Sequence, residues 1–522
     1  MRRALVILPV LAALLAVSCT NEPFDPESVP NAPPVMRFFA SPVDPADPLN
    51  PTSYFRRTFH WSGSDQDGEV VEYYVSIRTD AAVPAPWDTT ARTDTTMTFS
   101  TDDQGEAEAT FYLACRDDRG AVSDTLVQFV PLRNFPPVLN FQSDFNPLVN
   151  LQREIELDGG GAPVDTVYWN WGVMNLRCFA FDLDGNSTMD PFYRYTLSDA
   201  EPTETRDWDD PAADPLVHWL RKPFDGSEDI NEFEILLTDV PPGQRTVTVA
   251  VADEALAETR VTLSWEVRAP RGQVLMVPDN SSPFTQDFYR GVLDEILGTD
   301  AYDTYDFWFG FPDSPAVLLA TLRKFGLVFW YDGGGTSAVL ERAAATGGVL
   351  KQYVYPLDDS QPGHLLLISR NLAGSATGLP GPFLASVFGI SRSADPPTEL
   401  SPKSSAVGLH AFGTQSYLPD LTIQTIFGRG RGLQMRYDET DAYDELYRFD
   451  TCNRCWNGQP ANDPQHPELW WQPLIAVRRP TRAQQEFARA VGFSYELHTL
   501  QRPGVVAALE AVMQYELGVI AP

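Results

Sequence analysis

The sequence predicts a multidomain protein in which two all-β sandwich modules are followed by a doubly wound α/β domain with a mostly parallel sheet. Three observations predict this architecture. The motif NAPPV at residues 31–35 recurs as NFPPV at residues 134–138, and an interval of about a hundred residues is that of one sandwich module. Aromatic residues make up 12% of the chain, which also has 44 prolines, as in β-rich modules with many turns. From residue 273 onward, short apolar runs alternate with segments of helical periodicity, which is typical of a parallel sheet covered by helices.

The first residues have the composition of an export signal. Arg2 and Arg3 precede an apolar run at residues 4–17, and Ser18 and Cys19 follow it. A short basic start, an apolar run and small residues before a cleavage site describe a secretory signal peptide. The run has about 14 residues, fewer than the roughly 20 that cross a bilayer comfortably. We therefore expect an exported chain.

The end of this signal predicts a lipid anchor. Residues 16–19, AVSC, resemble the bacterial lipobox, with the usual leucine one position early at Leu15. The resemblance implies removal of a signal peptide at 1–18 and attachment of a lipid to the sulfur of Cys19, which would hold the protein on a membrane of the cell envelope. The acidic, proline-rich residues 19–32 then form a tether. The residue after the cysteine is not aspartate, which implies the outer membrane if the host is Gram-negative. An ordinary signal peptide with a chance cysteine is the alternative.

The charge balance excludes one class of partner. The chain has 71 acidic residues against 38 lysines and arginines, which gives a formal net charge of −33. Because binding to nucleic acid depends on clustered basic residues, we expect no nucleic-acid partner. We interpret the charge as favouring solubility and self-repulsion at a crowded surface. The sequence indicates no cofactor.

Within each repeat, two strand patterns flank an Asp/Gly turn. In the first repeat, FHWSGSDQDG at residues 59–68 precedes VVEYYVSI at residues 70–77. In the second, CFAFDLDG at residues 178–185 precedes FYRYTL at residues 192–197. Alternating strands on either side of such a turn predict a β-hairpin. A second hairpin with an acidic turn is predicted near the end of each repeat, where the strands read ATFYLACRD and RTVTVAVAD.

These patterns resemble bacterial fibronectin type III or immunoglobulin-like modules. The residues that carry the resemblance are Trp61, Tyr73, Tyr74 and the D-x-D-G turns. The resemblance implies one β-sandwich at 33–133 and a second, longer one at 134–269. It implies little about function, because this fold serves many functions.

The acidic turns also raise the possibility of a metal site. The candidate ligands are Asp65 and Asp67 in the first repeat and Asp182 and Asp184 in the second. A calcium loop supplies six to eight oxygen ligands, including a late bidentate acid, and these turns offer too few. Aspartate and glycine are also the ordinary residues of tight turns, so structural turns are the favoured interpretation.

A third domain is predicted at 272–522. Its short apolar runs predict strands, and its segments with apolar residues at helical spacing predict helices. The predicted strands are residues 274–277, 305–308, 327–331, 364–369, 473–479 and 493–500, and the predicted helices are residues 288–297, 317–325, 337–348, 382–390 and 505–517.

This layout resembles the flavodoxin-like, class I glutamine amidotransferase-like domain of exported bacterial proteins. The resemblance rests on Asp279 at the end of the first strand, on YDFW at residues 305–308, and on GHLLLIS at residues 363–369. The segment at about 391–473 is an insertion that matches the pattern of this family poorly. Within it, the segment at residues 427–436 is basic, and its arginines are candidates for contact with an acidic ligand.

The resemblance implies a cysteine nucleophile on a sharp turn after a strand, activated by a histidine. This chain has Ser369, and not a cysteine, at the corresponding position. Ser369 is the one candidate nucleophile, with His410 or His498 as its base. A serine at the end of a strand is also an ordinary cap, so we expect the domain to be non-catalytic.

Two cysteines lie three positions apart in the insertion, at Cys452 and Cys455. A zinc site needs four ligands, and only His466 lies close to the pair. Because an exported protein is oxidised, a local disulfide is the favoured interpretation over a metal or redox site. Trp470 and Trp471 nearby suggest either carbohydrate binding or a buried role.

Three hypotheses for function follow. The first is a non-catalytic envelope lipoprotein, whose sandwich modules are a spacer that presents the third domain to other envelope proteins or surface glycans. The second is a hydrolase or transferase that acts at the strand ends of the α/β domain. The third is carbohydrate binding through the tryptophan-rich insertion.

Overall fold

Three groups of secondary-structure elements follow one another along the chain. The computed structural model describes residues 30–40, 56–78, 86–99, 106–142, 147–159, 161–183, 189–197, 215–216, 218–224, 231–253, 257–279, 281–307, 310, 312, 314–332, 338–345, 348–373, 379–391, 399–400, 410–422, 430–431, 442–449 and 474–521. Within these ranges, no helix is long and apolar enough to span a membrane.

The first group, module 1, is a sandwich of two antiparallel sheets. Its strands are β1 (Val35–Ala40), β2 (Arg56–Ser64), β3 (Val70–Arg78), β4 (Asp88–Thr90), β5 (Asp94–Thr98), β6 (Glu106–Asp117) and β7 (Leu126–Arg133). One sheet has the order β1-β2-β5 and the other the order β4-β3-β6-β7. Alternating residues of β2 and β6, among them Phe59, Trp61, Phe111 and Leu113, fill the core between the sheets.

The second group, module 2, repeats this order and adds two strands. Its strands are β8 (Val138–Phe141), β9 (Gln152–Leu157), β10 (Pro163–Asn170), β11 (Met174–Phe181), β12 (Phe192–Thr196), β13 (Leu220–Pro223), β14 (Asn231–Leu237), β15 (Gly243–Ala252) and β16 (Glu258–Val267). The sheet β8-β11-β14 matches β1-β2-β5, and the run β13-β12-β15-β16 matches β4-β3-β6-β7. Beyond β16, this second sheet continues through β10 to β9. Both modules are therefore β-sandwiches of the same topology.

The repeated N-x-P-P-V motif fastens the start of each module to its last hairpin. The amide nitrogen of Asn31 donates to a carboxylate oxygen of Asp117 at 2.8 Å, and that of Asn134 donates to Asp253 at 2.6 Å. In both modules the second carboxylate oxygen accepts a backbone amide of the following turn, that of Ala121 or Ala257. Burial alone would raise the pKa of Asp117, but the hydrogen bonds from Asn31 and the backbone hold it below its ordinary value. We call each Asn–Asp pair a clamp.

The sequence predicts a hairpin around each D-x-D-G turn, and this prediction is wrong. The turn after β2 leads into β3, and the turn after β11 leads into β12, but in both cases the two strands belong to opposite sheets. The connection from β2 to β3 is therefore an arch across the sandwich. Alternating side chains point into the same core in either arrangement, so the sequence pattern does not distinguish them. The second prediction is confirmed, because β6 pairs with β7, and β15 with β16, as antiparallel hairpins.

The third group, which we call the third unit, is built on a nine-stranded sheet. Its order is β18-β17-β19-β20-β27-β26-β25-β22-β23, and β21 pairs with β24 in a separate two-stranded sheet. The strands are β17 (Val274–Asp279), β18 (Tyr302–Thr304), β19 (Leu327–Asp332), β20 (His364–Ile368), β21 (Glu399–Leu400), β22 (His410–Gly413), β23 (Leu421–Thr422), β24 (Gly430–Arg431), β25 (Asp444–Phe449), β26 (Leu474–Arg479) and β27 (Ala490–Phe493).

Helices pack on both faces of this sheet. They are α1 (Pro283–Leu297), α2 (Pro315–Leu322), α3 (Ala338–Ala345), α4 (Val349–Val354) and α5 (Arg502–Ala511), with π-helical turns at Leu384–Phe388 and Val512–Glu516. Successive residues of β19 point to opposite faces: Phe329 and Tyr331 pack in the cluster that contains α1 and α5, whereas Val328 and Trp330 pack in the cluster that contains α2, α3 and α4. All six residues of β19 are buried, as in a strand covered on both sides.

The sequence predicts a mostly parallel sheet, but only half of the sheet is parallel. The four pairings from β18 to β27 are parallel, and the four from β27 to β23 are antiparallel. The antiparallel half includes β22, β23 and β25, which lie within the predicted insertion at 391–473 and are too short or too polar to stand out in the sequence. Two predicted strands are also misplaced: the strand at 305–308 lies instead at Tyr302–Thr304, and that at 493–500 ends at Phe493, before a 3-10 turn at Leu497–Thr499.

Candidate functional site

Polar side chains meet where the parallel strands β17, β19 and β20 end. Asp279 and Asp332 are the last residues of β17 and β19 and lie opposite each other in the parallel register. Ser369 follows β20, the next strand in the sheet. Because the carboxyl ends of parallel strands share one edge, this is the default ligand site of such a sheet. Asp279, Asp332 and Ser369 are 1%, 3% and 1% exposed, so the groups lie beneath the surface.

Asp279 fixes the elements around it. One carboxylate oxygen accepts the indole N–H of Trp330 at 3.1 Å and the backbone N–H of Leu340 at 3.1 Å. Leu340 lies in the first turn of α3, where backbone amides have no partner within the helix and a negative charge is stabilising. The carboxylate thereby holds β19 and the start of α3 together.

Asp332, Ser369 and Asn371 form a hydrogen-bonded group. The hydroxyl of Ser369 donates to a carboxylate oxygen of Asp332, and the Asn371 side-chain amide donates to the same oxygen at 3.4 Å. The Ser369 hydroxyl also accepts the backbone N–H of Asn371 at 3.1 Å. The serine hydroxyl therefore acts as a donor and an acceptor within the fold, as a turn-capping serine does.

The candidate pairing of Ser369 with His498 is not seen in the described residues. The ring of His498 lies against Phe288 and Tyr289, with centroid distances of 6.5 and 6.3 Å, and burial lowers the pKa of His498. The side chain of His410 lies outside the described residues. The partner of Ser369 is a carboxylate and not an imidazole, whereas a serine nucleophile is activated by an adjacent base such as histidine.

The insertion contributes to this edge of the sheet. In the two-stranded sheet of β21 and β24, the backbone of Glu399 pairs with that of Arg431. Strand β24 lies beside the 3-10 turn Arg370–Ala373 that follows Ser369. Arg370 is 3.8 Å from Glu496, and both side chains are largely buried. Contacts within the chain therefore cover part of this edge of the sheet.

Two of the four candidate metal ligands, Asp65 and Asp67, are used in a turn and an ion pair. Asp67 accepts the backbone N–H of Ala32 and pairs with Arg119 at 3.1 Å, and Asp65 accepts the backbone N–H of Asp67. Asp182 is buried, and Asp184 lies outside the described residues. The described part of the chain contains no group of three or more His, Cys, Asp or Glu side chains placed to hold a metal ion.

Several predicted residues fall outside the described ranges. They are Cys19, Cys452, Cys455, Trp470 and Trp471. The cysteines that are described, Cys115 and Cys178, are buried free thiols in the two modules. Burial raises the pKa of Cys178 to about 12, so its thiol stays protonated and unreactive.

Sequence reasoning missed a joint between module 2 and the third unit. Trp171, in the turn after β10, packs against Tyr305 and Phe325, with ring-centroid distances of 5.8 and 5.3 Å. Trp169 and Trp171 belong to the same buried cluster as α2, α3 and α4. The side chain of Gln152 accepts the backbone N–H of Asp306 across the same boundary. The signal in the sequence is YWNWG, with two tryptophans two positions apart at the end of a strand.

The comparisons with known proteins find limited likeness. No protein-family model and no curated protein matches the chain. Among solved structures, a ThuA-like protein from Bacteroides uniformis is 9% identical, with a TM-score of 0.27, over 47% of this chain and 91% of that chain. Fibronectin(III)-like modules of Clostridium thermocellum CbhA are 12% identical, with a TM-score of 0.16, over 44% of this chain and 94% of that chain. The PKD1 domain of the Vibrio cholerae metalloprotease PrtV is 20% identical, with a TM-score of 0.14, over 20% of this chain and 99% of that chain.

Proposed function

We propose that this chain is a non-catalytic lipoprotein of the cell envelope, in which two β-sandwich modules form a spacer that presents a binding domain. The observation that carries the proposal is the joint at Trp171. A tryptophan-centred core that continues from module 2 into the third unit favours a fixed orientation between the two, because domains move relative to each other by default unless they share a large hydrophobic interface. A spacer that presents a domain in one orientation needs such a joint.

The third unit is, on this proposal, a degenerate amidotransferase-like domain with a doubly wound α/β arrangement. Its parallel strands, the helices on both faces and the acids at the strand ends support the assignment. The hydrogen bonds among Asp332, Ser369 and Asn371 support the loss of catalysis, because they occupy the serine hydroxyl in a structural role. Its partners would be other envelope proteins or surface glycans.

The anchoring part of the proposal rests on the sequence. The lipobox-like AVSC supports a lipid on Cys19 and therefore a membrane partner, which would be the outer membrane in a Gram-negative host. Export also supports a disulfide between Cys452 and Cys455, which would shape the loop that contains them. Replacement of Cys19 by serine should release the protein from membranes. If Cys19→Ser left fractionation and processing unchanged, the lipid anchor would be excluded.

The joint is tested by calorimetry of the full chain with Trp171→Ala. The wild type should unfold module 2 and the third unit in one transition, because they share a core. Removal of a buried tryptophan costs about 3–5 kcal/mol and should split this transition into two. Trp87→Ala is the matched control, because Trp87 is exposed. Two separate transitions in the wild type, or an unchanged profile for Trp171→Ala, would contradict a rigid joint.

Catalysis is tested separately with ester, peptide and glycan substrates. We expect no turnover by the wild type. Turnover that disappears in Ser369→Ala, while the thermal profile is retained, would replace this proposal with a hydrolase or transferase.

A further inference from the structure

The strands β9 and β10 form a ribbon that has no counterpart strand in the described part of module 1. The two strands are inserted between β8 and β11, which match the adjacent strands β1 and β2. They pair with each other from Gln152–Trp169 outward to Leu157–Pro163. However, β10 meets the rest of its sheet only at Trp169 and Asn170. Beyond those residues the ribbon is two-stranded, and we refer to β9 and β10 together as the ribbon.

The base of the ribbon is fixed, whereas its tip stands in open space. Gln152 and Trp169 at the base contact the third unit through the hydrogen bond to Asp306 and the shared core. At the tip, a Cβ added to Gly159 or Gly161 would have no atom of the described residues within 4 Å. Isolated two-stranded ribbons are marginally stable in water, so a projecting ribbon indicates a surface that acquires a partner.

The exposed side chains of the ribbon are apolar or acidic. Ile155, Leu157 and Val164 are 40%, 59% and 66% exposed. Ile155 and Leu157 lie on one face, because residues two apart in a strand share a face. Glu156 lies on the other face, directly opposite Asp165 on β10. Two like charges in directly opposite positions destabilise a ribbon, and a cation placed beside them would relieve the repulsion.

The outer edge of β9 is open. β9 is the last strand of its sheet, and no described strand pairs with its far side. Half of its backbone N–H and C=O groups therefore point away from β10. An edge of this kind is a template for an added strand.

We propose that this ribbon binds an extended segment of another envelope protein, which pairs with β9 and alternates basic and apolar residues. Such a strand places its apolar side chains beside Ile155 and Leu157, and a lysine or arginine beside Glu156 on the opposite face, where Glu154 already pairs with Arg268 of this chain. A second copy of this chain does not fit, because its net charge is −33 and its own ribbon is acidic. The inference rests on the proposed role as a binding spacer and supplies the chemistry of a partner.

The probe is a short blocked peptide that alternates lysine and valine, titrated against the full chain by fluorescence anisotropy. Ile155→Ser/Leu157→Ser and Glu156→Gln/Asp165→Asn should each weaken binding about tenfold, which corresponds to ~1.4 kcal/mol. Val127→Ser/Phe129→Ser is the matched control, because it removes two exposed apolar residues from β7, an edge strand of module 1. We expect this control to bind as the wild type does. The same peptide with methyl groups on alternate backbone nitrogens should not bind, because it cannot pair with a strand edge.

Several outcomes would overturn the inference. Equal affinity for the wild type and both ribbon variants would show that the peptide responds only to the overall negative charge. Equal binding of the methylated peptide would exclude strand pairing. A ribbon-dependent dimer in sedimentation velocity, or ribbon-dependent binding of the unlipidated protein to phosphatidylethanolamine vesicles, would assign the surface to a second copy or to a membrane. None of these outcomes changes the calorimetric test of the joint, so failure here is distinct from failure of the proposed function.

Discussion

The ion pair between Arg478 and Glu516 should be one of the most sensitive points of the third unit. Arg478 lies on β26 and Glu516 ends the chain's last π-helical turn, and their side chains are 1% and 0% exposed. The guanidinium donates to a carboxylate oxygen of Glu516 at 2.8 Å. It also donates to the backbone carbonyls of Pro480, Gln485 and Glu486. Glu516 accepts from Arg482 and from the hydroxyl of Tyr417 as well.

Glu516→Leu leaves the guanidinium of Arg478 buried without its closest counter-charge. The nearest remaining carboxylate is that of Asp444, at 3.8 Å. Removal of one partner of a buried pair costs about 3–5 kcal/mol, because the other charge stays desolvated. Arg478→Met should cost less, because Glu516 keeps its ion pair with Arg482. When both are replaced, the buried guanidinium is gone and Arg482 keeps Asp444 as its counter-charge, so Arg478→Met/Glu516→Leu should be more stable than Glu516→Leu.

Native-state hydrogen exchange measures this effect where it arises. Mass spectrometry of peptides that cover β26 and β27 reports the local opening free energy, and the same measurement on module 1 is an internal control. A loss of about 3 kcal/mol corresponds to an opening equilibrium more than a hundredfold larger. A loss below about 1 kcal/mol in both single variants, or a double variant as unstable as the sum of the two, would refute the reasoning.

Two further predictions concern hydrogen bonds to buried carboxylates. Burial and the hydrogen bond to Glu516 raise the pKa of Tyr417 to about 12, so its contribution to stability is complete below about pH 10 and is lost as the pH rises through about 12. Tyr417→Phe should therefore lose less stability than the wild type over this interval in alkaline denaturation, and parallel curves would contradict the assignment. Asn134→Ala removes the donor to Asp253 in the clamp of module 2 and should destabilise that module by about 1.5–3 kcal/mol, as judged by thermal unfolding. Asn140→Ala is the control and should change the stability of the module little, because Asn140 is exposed. Equal losses of stability in Asn134→Ala and Asn140→Ala would argue against the clamp.

The sequence predicted the β-sandwich modules because their signal is repeated. The N-x-P-P-V motif marks the start of each module, but its role could not be predicted, because Asn31 and Asp117 are 86 residues apart and Asn134 and Asp253 are 119 apart. The hairpin and the arch require the same alternation of side chains, so the sheet to which each strand belongs had to come from the structure.

In the third unit, runs such as LVFWY stand out because strands covered on both faces are continuously apolar. The antiparallel extension has no such signal: β22 and β23 have only four and two residues. The meeting of Asp332 and Ser369 depends on which strands are neighbours, and that order is not written in the alternation of strands and helices. The ribbon was missed because QREIEL on β9 has a strand pattern but nothing that marks it as projecting.

The clamps have a mechanical consequence. A load on the segment that enters module 1 reaches Asn31, whose side chain is bonded to Asp117 at the end of β6. The chain leaves the module through β7, which pairs with β6 along its length. Tension therefore passes from the entry point across one hydrogen bond to the exit hairpin, before it can peel β1 away from β2. Module 2 repeats the arrangement with Asn134 and Asp253, so each module resists extension first at its own entry clamp.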